Sequence, residues 1–449
     1  MDFFKLKENN TSVKNEFNGA LATFLSMLYI IPTNAFIVSN TGLSVEALML
    51  ATALVTIIAT AFTGLFANSP IAMSTGMGLN VFFTFSMCKG QGIPVETALG
   101  AVFISGFIFL VLSFTNFRIF ILKSIPEDFR RAISAGIGCF LAFMGMNQAH
   151  IVTADPVTLL KIGNFADPNV LFCLFVLFLI VCFWAWKIKA GFILAVLIGS
   201  IIAWTFGIGG AKLPSEFVAI PNFSEKDGLM SIFAKLDIMS ALSLSVLPAV
   251  MTLFVTQLFD SIGTITSAGI RGGIFKNKTK SDGTLDDSGD KKLGKTMIAD
   301  AAGTCIGAVI GTSTATAFVE SSAGIESGAR TGLSNIFLAG MFCLCIFFLP
   351  FFQAIPVNAI YPILIMVGIL MFMEVSNIDF KDPANSVATF FTVIMMPFTY
   401  SITTGIAFGF ISYVLVRLLR KEFNKLSSGI IVISIICMAV FLLQFMKFN

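Results

Sequence analysis

The segment Gly311-Thr-Ser-Thr-Ala-Thr-Ala-Phe-Val-Glu320-Ser-Ser-Ala-Gly-Ile-Glu-Ser-Gly-Ala-Arg330-Thr-Gly332 constrains this chain more than any other. It places three charges, four glycines and a run of hydroxyls inside a sequence that is 56% hydrophobic and 12% charged. Soluble domains carry roughly 25% charged residues. Apolar runs of bilayer length recur from near Phe17 to near Phe445, so the chain reads as a polytopic membrane protein. Inside a membrane, polar and glycine-rich backbone is tolerated only where protein encloses it or where it lines an aqueous cavity. Segment 311–332 is therefore expected to meet the substrate.

Spans are expected at 17–38, 46–66, 70–87, 96–116, 129–150, 168–187, 190–208, 239–267, 295–311, 318–331, 332–351, 355–374, 384–398 and 402–419. These make fourteen, with a further apolar segment at 428–446 whose placement is open. With a cytoplasmic N-terminus, 22 of the 28 lysines and arginines fall inside. Only Lys89, Lys161, Lys212, Lys226 and Lys235 fall outside, with Lys447 in the tail. Positive charge is retained on the cytoplasmic side, which supports that orientation and a multi-pass plasma membrane location. The polar start of the chain lacks the order of regions that marks a cleaved signal peptide. A net charge of +3 is too small and dispersed to argue for nucleic acid. The eight cysteines, Cys88, Cys139, Cys173, Cys182, Cys305, Cys343, Cys345 and Cys437, show no metal-ligand spacing and read as packing residues. No metal or other cofactor is expected.

Two segments have the wrong composition for a spanning helix. The third holds Asn68-Ser-Pro-Ile-Ala-Met-Ser-Thr-Gly-Met-Gly-Leu-Asn80, and the tenth lies in the polar run above. Both read as broken helices. A shift of 243 residues superimposes the sequence around Gly64 on that around Gly307. The broken segments then stand third in each set of seven, and an odd number of spans per set turns one half upside down. Interrupted segments at matching places of an inverted repeat point to a transporter's midplane site, where half-helix N-termini would present N–H groups to a polar ligand.

Few ionisable groups lie within the spans, and a carboxylate at a helix centre costs about 2.5 to 3.5 kcal/mol to insert. Asp260 in span eight and Glu320 in the tenth segment are the leading substrate-site residues. Phe318 and Ser321 go with Glu320, and Asn80 and Gly78 come from the third segment. Glu326 and Arg330 are spaced for an i,i+4 ion pair and read as structural support, as does Asp300 near the cytoplasmic end of span nine. The single histidine, His150, reads as interfacial. Phe82, Phe83 and Phe318 lie in or beside the broken segments, where an aromatic face could stack on a flat heterocycle.

The strings Gly76-Met-Gly-Leu-Asn80-Val-Phe-Phe, Leu258-Phe-Asp260-Ser-Ile-Gly-Thr, Ala299-Asp-Ala-Ala-Gly-Thr, Gly311-Thr-Ser-Thr-Ala-Thr-Ala-Phe-Val-Glu320-Ser-Ser-Ala-Gly and Gly328-Ala-Arg-Thr-Gly resemble the AzgA-like purine permeases. Those belong to the nucleobase-ascorbate transporter superfamily, alongside uracil permease. The likeness runs from about Phe17 to Leu419. It implies an all-helical fold of two inverted seven-span repeats, with short β-strands in segments three and ten. A core domain would take 17–116 and 239–351, and a gate domain 129–208 and 355–419. The resemblance further implies uptake of adenine, guanine or hypoxanthine with protons, at a site built from Asp260, Glu320 and Asn80. This chain departs from the family's pattern at Thr75, Val81 and Phe318, where proline, alanine and tyrosine are usual. The lost tyrosine hydroxyl bears on substrate preference.

In that mechanism Glu320 and Asp260 accept N–H groups of the purine, Asn80 orients its other edge, and one of the two carboxylates carries the coupled proton. The nearest rival is an anion carrier or exchanger of the sulfate or bicarbonate type on the same architecture, against which two site carboxylates argue. With one histidine and no His-Glu-x-x-His motif, an intramembrane enzyme has little support. A channel would lack saturable, gradient-dependent accumulation. A homodimer is left open.

Overall fold

The computed structural model describes residues 2–115, 126–188, 190–214, 216–271, 273–274, 287–427, 429–431, 434–435 and 438. The apolar tail expected at 428–446 lies mostly outside them. Helix α1 (Val13–Met27) begins at Ser12, whose hydroxyl accepts from the Asn15 N–H. Leu28 and Tyr29 separate it from α2 (Ile30–Val38). Pro32 sits in the first turn of α2 and has no N–H to return to the Leu28 carbonyl, so the span expected at 17–38 is two helices with Tyr29 at their joint.

The chain continues through α3 (Val45–Ala67), β1 (Met73–Thr75) and α4 (Met77–Val81), which runs into a π-helix at Phe82–Gly90. Then follow α5 (Val95–Ser113), α6 (Glu127–Gln148), β2 (Val152–Asp155), β3 (Leu159–Ile162), α7 (Pro168–Ala185) and α8 (Gly191–Phe206). The later part comprises α9 (Ile238–Ala241), α10 (Leu247–Arg271), α11 (Asp287–Ile310), β4 (Ala315–Ala317), α12 (Ser321–Glu326), α13 (Gly332–Cys345), α14 (Leu349–Gln353), α15 (Tyr361–Phe372), α16 (Pro383–Phe398) and α17 (Ile402–Leu419). Among the described residues nine helices are long and apolar enough to cross a membrane, and shorter apolar helices occupy the places expected of spans seven, thirteen and fourteen.

The two broken segments share one plan. A long helix, α3 or α11, leads into a three-residue strand, β1 or β4, and then into a short helix, α4 or α12. The strands pair antiparallel, Met73 with Ala317, Ser74 with Thr316 and Thr75 with Ala315. Pairing satisfies backbone groups that a broken helix would otherwise leave bare in the interior.

Several boundaries differ from expectation. The tenth segment, expected at 318–331, starts its strand at Ala315 and ends its helix at Glu326, because Gly328 turns left-handed at φ 113°. The eighth, expected at 239–267, is divided between α9 and α10. Pro248 falls in the first turn of α10, where its missing N–H costs no helical bond. The β2–β3 hairpin lies in what reads as a loop. His150, left-handed and exposed, precedes it at the end of α6.

Helix α3 packs on α13 and α11, α11 on α5, and α1 on α13; α6 packs on α15 and α16, α16 on α17, and α15 on α7. The α3–α13 contact is backbone on backbone. A Cβ at Gly332 would lie 2.0 Å from the Gly64 carbonyl oxygen, and one at Gly64 would lie 2.7 Å from the Gly332 oxygen. Such close approach is the usual role of small residues between membrane helices.

The head of α13 is held by a distant charge. Fully buried Glu16 accepts from the N–H groups of Arg330, at 3.0 Å, and Thr331, at 3.2 Å. A carboxylate near a helix N-terminus is favourable. Glu16→Ala strands these donors and is expected to cost about 1–3 kcal/mol. That cost should appear as a lower thermal midpoint of the detergent-solubilised protein, with Glu16→Gln affected less.

Candidate functional site

The paired strands fix the surroundings of both leading carboxylates. Glu320 stands three residues beyond β4 at the N-cap of α12, half-buried, beside Val319, which is 60% exposed. Its Oε1 accepts from the hydroxyl of buried Tyr29 at the joint of α1 and α2. The half-buried Asp260 of α10 is tied to the same strand, because the Thr316 hydroxyl donates to its Oδ2 at 3.1 Å. These two bonds use one oxygen of each carboxylate. Asp260 also lies within electrostatic reach of Glu320 and of Asp300.

Around this pair the polar side chains are mostly engaged in holding backbone. Ser321, fully buried, accepts from the Ala72 N–H at 2.9 Å, and the Phe318 N–H donates to the Ala72 carbonyl at 3.0 Å. Both bonds prolong the β1–β4 register by a step. The Phe318 ring is 5% exposed. Phe82 and Phe83 are fully buried and pack in the interior. Gly78 is half-buried, and a Cβ there would meet Ile137 of α6 at 2.7 Å. It therefore marks a close contact between the third segment and α6.

Asn80 has no exposed surface. Its amide nitrogen donates to Asn34 Oδ1 at 2.5 Å and its oxygen accepts from Ser313. Asn34 donates in turn to the hydroxyls of Thr52, at 2.7 Å, and Thr312, at 3.0 Å. A network of this kind ties both broken segments to α2 and α3, and it rigidifies when its members are satisfied. Glu326 and Arg330 form no ion pair. Glu326 is exposed, whereas the Arg330 guanidinium turns back to the carbonyls of Ile325 and Ala329 at the end of α12. The cause is the length of α12: it ends at Glu326, so the helical i,i+4 geometry never reaches Arg330. With α4 and α12 at five and six residues, half-helix dipoles contribute little here, and the polarity comes from side chains. Asp300 is fully buried in α11 and accepts from the Ser261 hydroxyl at 2.5 Å.

Tyr29, Asn34, Thr316 and Gln257 escaped sequence reasoning as polar contacts of the site. A signal existed for Tyr29, since a chain with fifty phenylalanines and four tyrosines places a phenol in mid-membrane only where its hydroxyl has a partner. Gln257 sits one turn before Asp260 and is fully buried. Among the described residues no group of three or more His, Cys, Asp or Glu side chains could hold a metal ion.

The Xan_ur_permease model, described as a permease family, matches residues 14–408. The chain is 35% identical over 437 residues to the guanine/hypoxanthine permease PbuO of Bacillus subtilis, covering 96% of this chain and 98% of that one. It is 31% identical over 433 residues to the adenine permease AdeP of Escherichia coli, covering 96% and 94%. Among solved structures, the transmembrane domain of the cyanobacterial bicarbonate transporter BicA superimposes with a TM-score of 0.60 at 15% identity, covering 89% of this chain and 96% of that one. At that identity the likeness shows the fold alone, a membrane-transporter architecture. The chain is a multi-pass membrane transporter, not an enzyme, and it belongs to the permease family that this model describes.

Proposed function

We propose that the protein imports purine nucleobases across the cytoplasmic membrane by proton symport, and that Glu320 and Asp260 bind the purine. The observation that carries this reading is the pair of half-buried carboxylates beside one strand region, Glu320 held by Tyr29 at the joint of α1 and α2 and Asp260 by Thr316 of β4. One oxygen of each is fixed by a hydroxyl, and the other would accept a ring or exocyclic N–H. Hydrogen bonds to charged groups are worth about 1.5–3 kcal/mol each, enough for two to select a nucleobase. The named activities of PbuO and AdeP, guanine/hypoxanthine and adenine permeases, support the substrate class.

In this proposal the N-terminus is cytoplasmic and the chain makes fourteen crossings. Residues 17–116 with 239–351 form the unit that carries the site, and 129–208 with 355–419 the unit against which it moves. Contacts at the boundary include Gly78 against Ile137 and the Tyr29 ring 5.4 Å from Phe192. Rocking of one unit on the other would expose the carboxylates alternately to the two sides. Asn80, Ser321 and Phe318 then shape the site by fixing the strands, and Asn80 keeps one N–H beyond those bonds.

An anionic substrate fits poorly. An anion about 4 Å from one carboxylate meets repulsion of about 4 kcal/mol at an effective dielectric constant of 20. Uptake of labelled hypoxanthine by a host lacking its own purine permeases decides between the two. We expect competition by unlabelled adenine or guanine and none by sulfate or bicarbonate. Competition by the anions alone would reverse the assignment.

A further inference from the structure

The face of α10 that carries Asp260 changes its surroundings along its length. Thr256, Asp260 and Gly263 recur at spacings of four and three, which keep them on one side of a helix. Thr256 is 1% exposed, Asp260 is half-buried and Gly263 is exposed. Among the described residues of 248–265 Gly263 alone is exposed, and nothing described lies within 4 Å of the position a Cβ would take there. About a quarter turn round the helix the surface is closed. Gln257 and Ser261 are fully buried and bond to Thr304 and Asp300 of α11.

The space beside Gly263 is not a lipid groove. Gly263 stands about 4.5 Å along the axis from Asp260, and a carboxylate at membrane depth faces protein or water. Gly340 of α13 shows the contrary case. Its Cβ position is open as well, but the residues one turn on are Cys343 and Leu344, both exposed. That is an apolar surface of the kind lipid covers, and no charge stands on it. Gly263 instead adjoins a carboxylate, so the opening beside it is polar and reaches Asp260.

The opening has one direction. With the N-terminus cytoplasmic, α10 runs from an outer end at Leu247 to an inner end at Arg271. Exposed Gly263 then lies on the inner side of Asp260 and buried Thr256 on the outer side. On the outer side the two units of the proposed mechanism also touch. Ser86, in the π-helix after α4, is 4% exposed, and its hydroxyl donates to the carbonyl of Tyr400 between α16 and α17.

We propose that Gly263 lines the route by which the purine passes between Asp260 and the cytoplasm, and that its missing side chain sets the width of that route. A flat base released from the carboxylate moves inward past position 263, where the backbone is the only obstacle on α10. A single added carbon projects into open space and is tolerated, whereas a leucine side chain occupies the space the base needs. Rocking of the units closes the inner side over Gly263 and parts Ser86 from Tyr400 on the outer side. Holding the base at Asp260 and letting it pass at Gly263 are thus separate tasks of neighbouring turns of one helix.

This inference rests on the purine-transport reading, and its test separates the two. Gly263→Ala, Gly263→Leu and Gly263→Cys are made in the full chain. The first two are expected to melt close to wild type after purification, because the added atoms meet no neighbour. Uptake of tritiated hypoxanthine should stay within about threefold of wild type in Gly263→Ala and fall at least about tenfold in Gly263→Leu. Gly263→Cys is treated with a membrane-impermeant methanethiosulfonate in inside-out and in right-side-out vesicles. Peptide mass spectrometry reads position 263 alone, so the native cysteines remain. Labelling is expected to be at least about tenfold faster from the cytoplasmic side, since the opposite state of such an equilibrium is a minor one, and to slow when hypoxanthine is present. Wild-type uptake by a folded Gly263→Leu would overturn the proposal. So would a Gly263→Leu that does not fold, because the space would then be filled. Labelling that is equal from both sides, faster from the outer side, absent from both or indifferent to hypoxanthine would overturn it as well. Failure of the purine reading looks different: wild type itself then takes up no hypoxanthine, while one-sided labelling at position 263 persists and only the cargo of the route is refuted.

Discussion

Glu320→Gln is expected to lower the initial rate of purine uptake by at least about 100-fold while the protein reaches the membrane in normal amount. A charge-assisted hydrogen bond is worth up to about 3 kcal/mol, and about 1.4 kcal/mol is tenfold. Glutamine also turns an N–H toward a substrate that presents N–H groups, so the substitution removes an attraction and introduces a clash of donors. Tyr29→Phe removes one neutral donor to Oε1 and should cost about tenfold or less. The order of the two effects is informative. If Tyr29→Phe were the more damaging, the hydroxyl and not the carboxylate would be the principal contact. Uptake of tritiated hypoxanthine, normalised to membrane-inserted protein, measures both.

Gly332→Leu should fail to accumulate as a folded protein. Even the first added carbon would lie 2.0 Å from a backbone oxygen of Gly64, and backbone in a packed helix cannot swing aside as a side chain can. Overpacking typically costs about 1–3 kcal/mol where side chains can adjust, and here they cannot. Gly340→Leu is the control on the same helix, because nothing lies within 4 Å of its Cβ position. We expect yield and thermal midpoint near wild type for Gly340→Leu and no monodisperse protein for Gly332→Leu. Equal behaviour of the two would show that the α3–α13 contact is looser than described.

The sequence carried the architecture further than it carried the contacts. Composition alone located both broken segments, because glycines and hydroxyls in a chain rich in phenylalanine have one physical explanation, enclosure by protein or water. The repeat then foretold that the two would occupy matching places, and their strands pair with each other. Boundaries were lost where a local signal opposed the hydropathy. Pro32 divides the first span, Pro248 opens α10, and Gly328 closes the stretch after α12 early.

At the candidate site, Glu320 and Asp260 stood out in the sequence because a carboxylate among apolar residues is costly and visible. Their partners were not, since Tyr29 and Thr316 lie 291 and 56 residues away in sequence and only the tertiary fold brings them together. Asn80 was legible as a buried polar residue, but its engagement with Asn34 and Ser313 was not. The Glu326–Arg330 pair shows the opposite error. The spacing is right for a helix, and the helix stops short.

Equilibrium binding of tritiated hypoxanthine to the purified protein tests whether Glu320 and Asp260, the two carboxylates beside the paired strands, form a purine site. Saturable binding to wild type is expected, displaced by adenine or guanine, and at least about 100-fold weaker in both Glu320→Gln and Asp260→Asn. Wild-type affinity in either variant, or displacement by sulfate in place of purines, would contradict it.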